Sequence, residues 1–121
     1  MTRAPSSDRR RIRVRILSGS AIAIGPGQAD LLRAVAETGS ISAAARAMRM
    51  SYRRAWLLVH TMNTCFAEPL VSAVKGGPTG GGAELTPTGR EVLALYNEIA
   101  ALASQRFEPY LPPPSKKRVA R

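Results

Sequence analysis

Hydrophobic and polar positions alternate near the start of the chain and then adopt a helical period. Apolar side chains alternate with Arg13 and Arg15 over residues 12–16, which predicts a half-exposed strand. A Gly-Pro-Gly break follows, and residues 28–38 then show the period of a helix that ends at Gly39. That helix would bury Leu31, Leu32 and Val35. The sequence therefore predicts a strand, a break and a first helix.

Residues 40–59 combine a small-residue helix, a short break and a second helix. The alanines of residues 42–48 allow the first of these helices to lie close against the second. The second helix opens at Ser51, whose hydroxyl can cap it. Its outward-facing first turn would present Tyr52, Arg53 and Arg54. This pattern is typical of a helix-turn-helix, in which the first turn of the second helix enters a DNA groove.

A helical wheel at about 100° per residue divides the second helix into two faces. The inward arc holds Ala55, Leu58, Val59, Met62, Cys65 and Phe66. The opposite side holds Arg53, His60 and Thr64. Trp56 lies at the border, where we expect it to pack rather than to read bases, and Glu68-Pro69 ends the helix. The helix is thus anchored by one face and free on the other.

The segment after this helix predicts a hairpin with a flexible tip, a wing. Residues 70–75 alternate like a strand, residues 76–82 are rich in glycine, and residues 83–85 can return as a second strand. The tip could bring backbone amides, Lys75 and Thr79 close to phosphate or the minor groove, although a merely mobile loop fits equally well. The stretch lacks the lysine and following hydroxyl of a phosphate-binding nucleotide loop, which excludes that class.

A long final helix is predicted from Thr86-Pro87 to about Phe107, before Pro109. Its apolar positions cover roughly half of the circumference, which is wider than a small core requires. We therefore predict a homodimer formed through this helix. The residues assigned to dimerisation are Val92, Leu95, Tyr96, Ile99, Leu102 and Ala103.

Composition and charge narrow the choice of partner. The 121 residues fit one domain, over residues 12–108, with basic and disordered segments at residues 1–11 and 109–121. Four arginines and one aspartate give the first segment +3, and four basic residues give the last segment +4, so 12–108 keeps only +3 of the total +10. A pI near 11.3 favours double-stranded DNA over an acidic membrane as the partner.

Positive charge within the predicted domain is concentrated on the helix-turn-helix. Four arginines fall within nine residues, 46–54, that contain no acid. We expect Tyr52, Arg53 and Arg54 to enter the major groove, and the alternative is a solvated helix terminus. The residues expected to hold phosphates are Ser51, Arg46, Arg49, Lys75 and Thr79.

Several function classes lose support from the same sequence. The single Cys65 cannot form an internal disulfide, and it falls on a different helix face from His60, so we expect no metal or cofactor. Acid, base and nucleophile residues assemble into no catalytic constellation, so we do not expect an enzyme. Neither a membrane span nor a signal peptide is predicted, so we expect a cytoplasmic bacterial protein that associates with the nucleoid.

Several motifs in one order give the chain a family resemblance. They are Thr38-Gly39-Ser40-Ile41-Ser42, Ser51-Tyr52-Arg53-Arg54-Ala55-Trp56, Met62-Asn63, the glycine-rich wing and Leu85-Thr86-Pro87-Thr88-Gly89-Arg90. Together they resemble the amino-terminal DNA-binding domain of ModE-type molybdate-responsive regulators, with LysR-type regulators as the wider relatives. The resemblance covers about residues 12–108 and implies a winged-helix dimer on a roughly palindromic operator.

The resemblance also has a limit. Those regulators carry the oxyanion in carboxy-terminal domains, whereas this sequence ends in a short basic tail, so we do not expect molybdate to bind this chain. The predicted fold is mostly α with a small β-hairpin wing, a winged helix-turn-helix with a long C-terminal dimerisation helix. The predicted function is a sequence-specific transcriptional regulator, a repressor. The alternatives are a nonspecific nucleoid-associated DNA-binding protein and a dimerisation partner that modulates a longer homologue.

Overall fold

The computed structural model describes residues 12–75 and 82–113. Its elements in chain order are β1 (Ile16–Ser18), β2 (Ala21–Ile24), α1 (Pro26–Thr38), α2 (Ile41–Ala47), α3 (Tyr52–Cys65), β3 (Val71–Val74), β4 (Gly82–Leu85) and α4 (Pro87–Phe107), followed by a 3-10 turn at Glu108–Tyr110. The strands form two separate antiparallel pairs, β1 with β2 and β3 with β4. The predicted fold class, mostly helical with a small hairpin wing, is confirmed.

The first hairpin corrects the strand predicted over residues 12–16. Residues 12–15 form no strand, and β1 begins only at Ile16, which pairs with Ile24. The segment before β1 is held instead by a side chain, because the Tyr96 hydroxyl donates to the Val14 carbonyl oxygen at 2.6 Å. Gly19, with φ of 62°, makes the turn to β2, a strand that the sequence did not predict.

The helix termini follow the predicted signals closely. The Ser51 hydroxyl accepts from the Arg54 N–H at 3.0 Å, and the Thr86 hydroxyl accepts from the Gly89 N–H at 2.9 Å. Gly39 ends α1 in the left-handed region, with φ of 75°. Each cap satisfies a backbone group that the helix itself leaves unpaired, which fixes where α1, α3 and α4 begin or end.

The core forms around α1, which packs against α2, α3 and α4. Its buried face includes the predicted Leu31, Leu32 and Val35. The small side chains of α2 and α3 allow close approach, since Ala44, Ala45 and Ala55 are buried where these helices meet the core. Apolar side chains of the inward arc of α3 complete this region, with Val59 and Met62 buried and Leu58 and Phe66 half-buried. The predicted anchoring face of α3 is therefore present.

The apolar surface of α4 divides into two parts. Tyr96 is 3% exposed, and Val92, Leu93 and Ala100 pack partly against the same core. The stripe, by which we mean Leu95, Ile99 and Leu102, remains 55%, 38% and 51% exposed. Tyr96 and Val92, assigned to dimerisation from the sequence, therefore pack within their own chain, because the core-facing side of α4 includes them, and Ala103 is half-buried.

Within the described ranges, the structure contains no helix with the length and apolar character needed to cross a membrane. The described part extends past the predicted domain boundary at residue 108, since Pro109 and Tyr110 belong to the 3-10 turn. The basic segment 1–11 and residues 114–121 lie outside the described residues.

Candidate nucleic-acid interface

The turn between α2 and α3 sets the direction in which α3 projects. Arg49 occupies this turn with φ of 58°, in the left-handed region that non-glycine residues seldom adopt. Two backbone hydrogen bonds close the turn. The Met50 N–H donates to the Ala45 carbonyl at 3.0 Å, and the Arg49 N–H donates to the Arg46 carbonyl at 3.1 Å. The strained backbone thus allows the chain to reverse within three residues and expose the start of α3.

Four arginines surround the exposed start of α3. Arg46 lies in the last turn of α2, Arg49 in the connecting turn, and Arg53 and Arg54 in the first turn of α3, and all are exposed. None of them forms an ion pair with a described residue, whereas Arg33 of α1 contacts Asp30 at 3.3 Å. The first turn of α3 contains no acid to oppose them. This surface therefore carries uncompensated positive charge at a helix end that already favours anions.

Ser51 and Tyr52 occupy the same end of the helix. The Ser51 hydroxyl oxygen accepts from the Arg54 N–H, which leaves its own proton available to donate. Tyr52 is exposed and lies at the start of a groove between α3 and the wing. Both side chains therefore have hydroxyl groups at the protein surface, beside the arginines.

The exposed side of α3 also carries an aromatic pair that the sequence did not reveal. The ring of Trp56 stacks on that of His60, with centroids 5.1 Å apart and planes within 5° of parallel. His60 lies on the exposed side, as predicted. Trp56 was expected to pack rather than to reach out, yet it is 44% exposed and its described ring contact is with His60.

A groove of about 320 Å³ separates α3 from the wing. Tyr52, Trp56 and His60 line it from α3, Val71, Ser72 and Ala73 from β3, and Gly82 and Ala83 from β4. A second hollow of about 240 Å³ adjoins it at Ile41, Tyr52 and Ala83, and also includes Ser40 and Ser42 of the α2 end. The two form one open trough between α3 and the hairpin.

Asn63 fixes the base of the wing to α3. Its side-chain oxygen accepts from the Leu70 and Val71 N–H groups at 2.8 and 3.1 Å, and its amide nitrogen donates to the Val71 carbonyl at 3.0 Å. One side chain therefore satisfies three backbone groups where β3 begins. In the sequence, Asn63 belongs only to the motifs that carry the family resemblance, because a polar residue near a helix end gives no local signal of such contacts.

A second tie connects the wing to the junction of α1 and α2. The Ala83 N–H donates to the Gly39 carbonyl at 2.9 Å. A Cβ atom at the neighbouring Gly82 would lie 2.5 Å from that same carbonyl oxygen, so a side chain there would push β4 away from the α1–α2 junction. The wing base is therefore held on two sides, by α3 and by the α1–α2 junction.

Of the two wing residues predicted to contact DNA, only one lies within the described structure. Lys75 is exposed directly after β3, and Thr79 lies outside the described residues. Cys65 is half-buried near the end of α3, on a different side of the helix from the exposed His60. Across residues 12–75 and 82–113, no three His, Cys, Asp or Glu side chains come together as a metal site.

Sequence comparison identifies relatives of this region. The family model for the bacterial regulatory helix-turn-helix protein of the lysR family matches residues 27–90. The chain is 45% identical to the molybdenum-pterin-binding protein MopB of Rhodobacter capsulatus over 71% of this chain and 32% of that protein. It is 36% identical to the DNA-binding transcriptional dual regulator ModE of Escherichia coli K12 over 69% of this chain and 32% of that protein. The chain thus spans about a third of the length of these curated relatives.

Solved structures agree on the fold. The DNA-binding domain of CbnR in complex with DNA superposes with a TM-score of 0.54 at 23% identity, over 78% of this chain and 97% of that domain. The LysR family regulator VV2_1132 superposes with a TM-score of 0.53 at 17% identity, over 69% of this chain and 27% of that protein. The chain belongs to the LysR family of bacterial regulatory helix-turn-helix proteins, and its winged-helix domain is of the ModE type.

Proposed function

We propose that this protein is a sequence-specific, DNA-binding transcriptional regulator that acts as a homodimer in the bacterial cytoplasm. The observation that carries the proposal is the group of four exposed arginines at the start of α3, unpaired with any described residue. Acidic side chains on the described elements lie elsewhere, mainly on α1 and α4. A surface with this charge, at the start of a recognition helix, matches the major groove of DNA.

Base recognition is assigned to the first turn of α3. Arg53 and Arg54 can each offer two parallel N–H groups to the O6 and N7 atoms of guanine, and Tyr52 can reach a neighbouring base edge. Their exposure supports this assignment, because an exposed arginine can adopt the extended geometry that bidentate contact requires.

Phosphate contacts are assigned to the residues around that turn. Arg46, Arg49 and Ser51 surround the start of α3, and Lys75 extends from the end of β3. Thr79, in the wing tip, is assigned the same role from its position in the sequence. Such contacts orient the protein on the duplex without reading its sequence.

The stripe on α4 is assigned to dimerisation. Three exposed, large apolar side chains on one side of a 21-residue helix are costly to leave in water, and a second copy of the helix can cover them. A two-fold dimer would present two α3 helices to half-sites about one helical turn of DNA apart. An inverted repeat is the operator that such a dimer favours.

The curated relatives suggest which genes are controlled. The name of the Rhodobacter capsulatus relative refers to molybdenum-pterin binding. We therefore include genes of molybdenum handling among the proposed targets, with repression as the outcome where the operator overlaps a promoter.

Selection of bound fragments from random duplex DNA at near-physiological salt tests the proposal. We expect an inverted repeat to be enriched. Arg53→Ala should lower affinity for that repeat about tenfold to 100-fold and flatten the preference at one position of each half-site. Arg33→Ala, which removes an arginine already paired on α1, is the matched control and should leave the selected motif unchanged.

Two results would contradict the proposal. Equal affinity for all sequences, with a steep dependence on salt, would instead support nonspecific coating of DNA by the basic protein. A protein that stays monomeric and binds DNA only after a longer homologue is added would support the dimerisation-partner alternative.

A further inference from the structure

Trp56 is the one large aromatic side chain of α3 that the proposed function leaves without a role. It lies one helical turn beyond Tyr52, on the side of α3 that faces the trough. Nearly half of its surface is accessible, although burial of a tryptophan side chain is strongly favourable. An exposed indole on an otherwise cationic helix indicates that this surface meets a partner with both negative charge and an apolar group.

The floor of the DNA major groove offers one such apolar group. Each thymine presents its C5 methyl there, next to the acceptors and donors of the base edges. The phosphates on either side provide the negative charge that the nearby arginines complement. Recognition helices contact bases from residues spread over about two turns, so a residue in the second turn of α3 lies within the reading part.

We propose that Trp56 reads thymine by packing its indole against the C5 methyl in the major groove, and that His60 is a positioning residue for it. This inference rests on the proposed function, because it needs a bound operator. The parallel stack at 5.1 Å restricts the rotation of the Trp56 ring before DNA arrives. Less conformational entropy is then lost when the indole packs against the methyl, so that more of this contact appears as preference for thymine over uracil.

The geometry disfavours a purely structural role for Trp56. The buried face of α3 consists of Ala55, Val59 and Met62, which face the core without any contribution from this indole. The stack with His60 covers one face of the ring and still leaves 44% of the residue exposed. The exposed part of Trp56 therefore contacts no other described residue.

Replacement of thymine by uracil in the selected operator tests the inference directly. Uracil lacks only the C5 methyl and keeps the same base pairing, so any loss of affinity measures contact with that methyl. We expect the wild-type protein to lose about threefold to tenfold in affinity when one particular thymine of each half-site is replaced. Replacement of the other thymines should have smaller effects.

Variants of the protein show which side chain causes the loss of affinity for the uracil operator, which we call the uracil penalty. Trp56→Gln should bind the thymine and uracil operators equally, whereas Trp56→Phe should keep most of the difference. Thr64→Ala, an exposed position two turns farther along α3, is the control and should keep the full penalty. Removal of the ring partner in His60→Ala should reduce the penalty while leaving the melting temperature within a few degrees, since His60 is exposed.

The chain provides a second readout because Trp56 is its only tryptophan. Its fluorescence therefore reports from the proposed contact alone. We expect operator binding to shift the emission and to reduce quenching by acrylamide at least twofold, and the uracil operator to restore part of that quenching.

The possible outcomes separate this inference from the proposed function. A selected operator with no uracil penalty, or a penalty that persists in Trp56→Gln, would overturn the role of Trp56 and leave sequence-specific binding intact. If selection yields no operator, the proposed function fails first and the thymine contact fails with it. A penalty that Trp56→Gln abolishes and Thr64→Ala retains is the supporting result.

Discussion

Helices α3 and α4 are both amphipathic, yet their free surfaces differ in chemistry. The 14-residue α3 buries one face and exposes Arg53, Arg54 and an aromatic pair. The 21-residue α4 exposes the apolar stripe together with Glu91 and Glu98. Both helices have a hydrophobic face, so the charge beside that face is what distinguishes their proposed partners, a polyanion for α3 and a second copy of the chain for α4.

The largest expected effect comes from placing charge in the α4 stripe. Ile99→Glu would bury two like charges, one from each copy, at the proposed two-fold interface. We expect the dimer to dissociate at least about 100-fold more readily and affinity for the inverted repeat to fall in parallel. Sedimentation equilibrium and operator titration measure the two effects.

A control on the same helix keeps this prediction specific. Ala101→Glu adds the same charge at an exposed position of α4 away from the stripe and should leave the dimer intact. If Ile99→Glu remains dimeric at the concentrations where the wild type does, the stripe is not the interface.

Removal of the capping hydroxyl of α3 or of α4 should lower the free energy of unfolding by about 1 to 2 kcal/mol, and the two variants form a matched pair. Ser51→Ala should lower the free energy of unfolding by about 1 kcal/mol and also weaken operator binding, because it removes a hydroxyl from the surface proposed to face DNA. Thr86→Ala should cost about 2 kcal/mol, since its hydroxyl also donates to the Pro69 carbonyl at 2.7 Å, and should leave the affinity of the folded protein unchanged. Denaturant unfolding measures the loss of stability in each variant, and DNA titration measures the loss of affinity. Equal losses of affinity in the two variants would contradict the assigned surfaces.

The smallest expected effect concerns the strained turn before α3. Both Arg49→Ala and Arg49→Gly would remove the proposed phosphate contact and should weaken binding to all sequences alike, with a shallower salt dependence. Only the glycine variant relieves the left-handed backbone at φ of 58°, so it should be more stable than the alanine variant by about 0.5 to 1 kcal/mol. Equal thermal stabilities would show that the turn stores no strain.

Local signals predicted much of this fold. Ser51, Thr86 and Gly39 mark helix ends by interactions within three or four residues, so reading them needs no knowledge of distant contacts. The predicted strand over residues 12–16 was wrong because its alternation is equally compatible with an extended segment. That segment is held by Tyr96, 82 residues farther along the chain.

In the candidate site, features set by neighbouring residues could likewise be predicted from the sequence, whereas features set by distant contacts could not. The arginines around α3 follow from sequence spacing, since exposure of a charged residue at a helix start is the expected state. The accessible indole of Trp56 does not, because a wheel places it at the border and only the packed structure shows what covers it. The three bonds of Asn63 to the start of β3 likewise depend on where the wing folds back.

The base of the wing is attached at two places, which fixes the angle of the hairpin independently of its length. Asn63 and the Gly39 carbonyl hold the two strands by backbone contacts, so the angle of the hairpin relative to α3 is set by the body of the domain. A change in the number of residues between the two strands would then alter how far the hairpin extends, but not its angle relative to α3. Lengthening or shortening the segment between β3 and β4 should therefore change how many phosphates the protein contacts in the proposed complex, without changing the angle at which α3 meets the duplex.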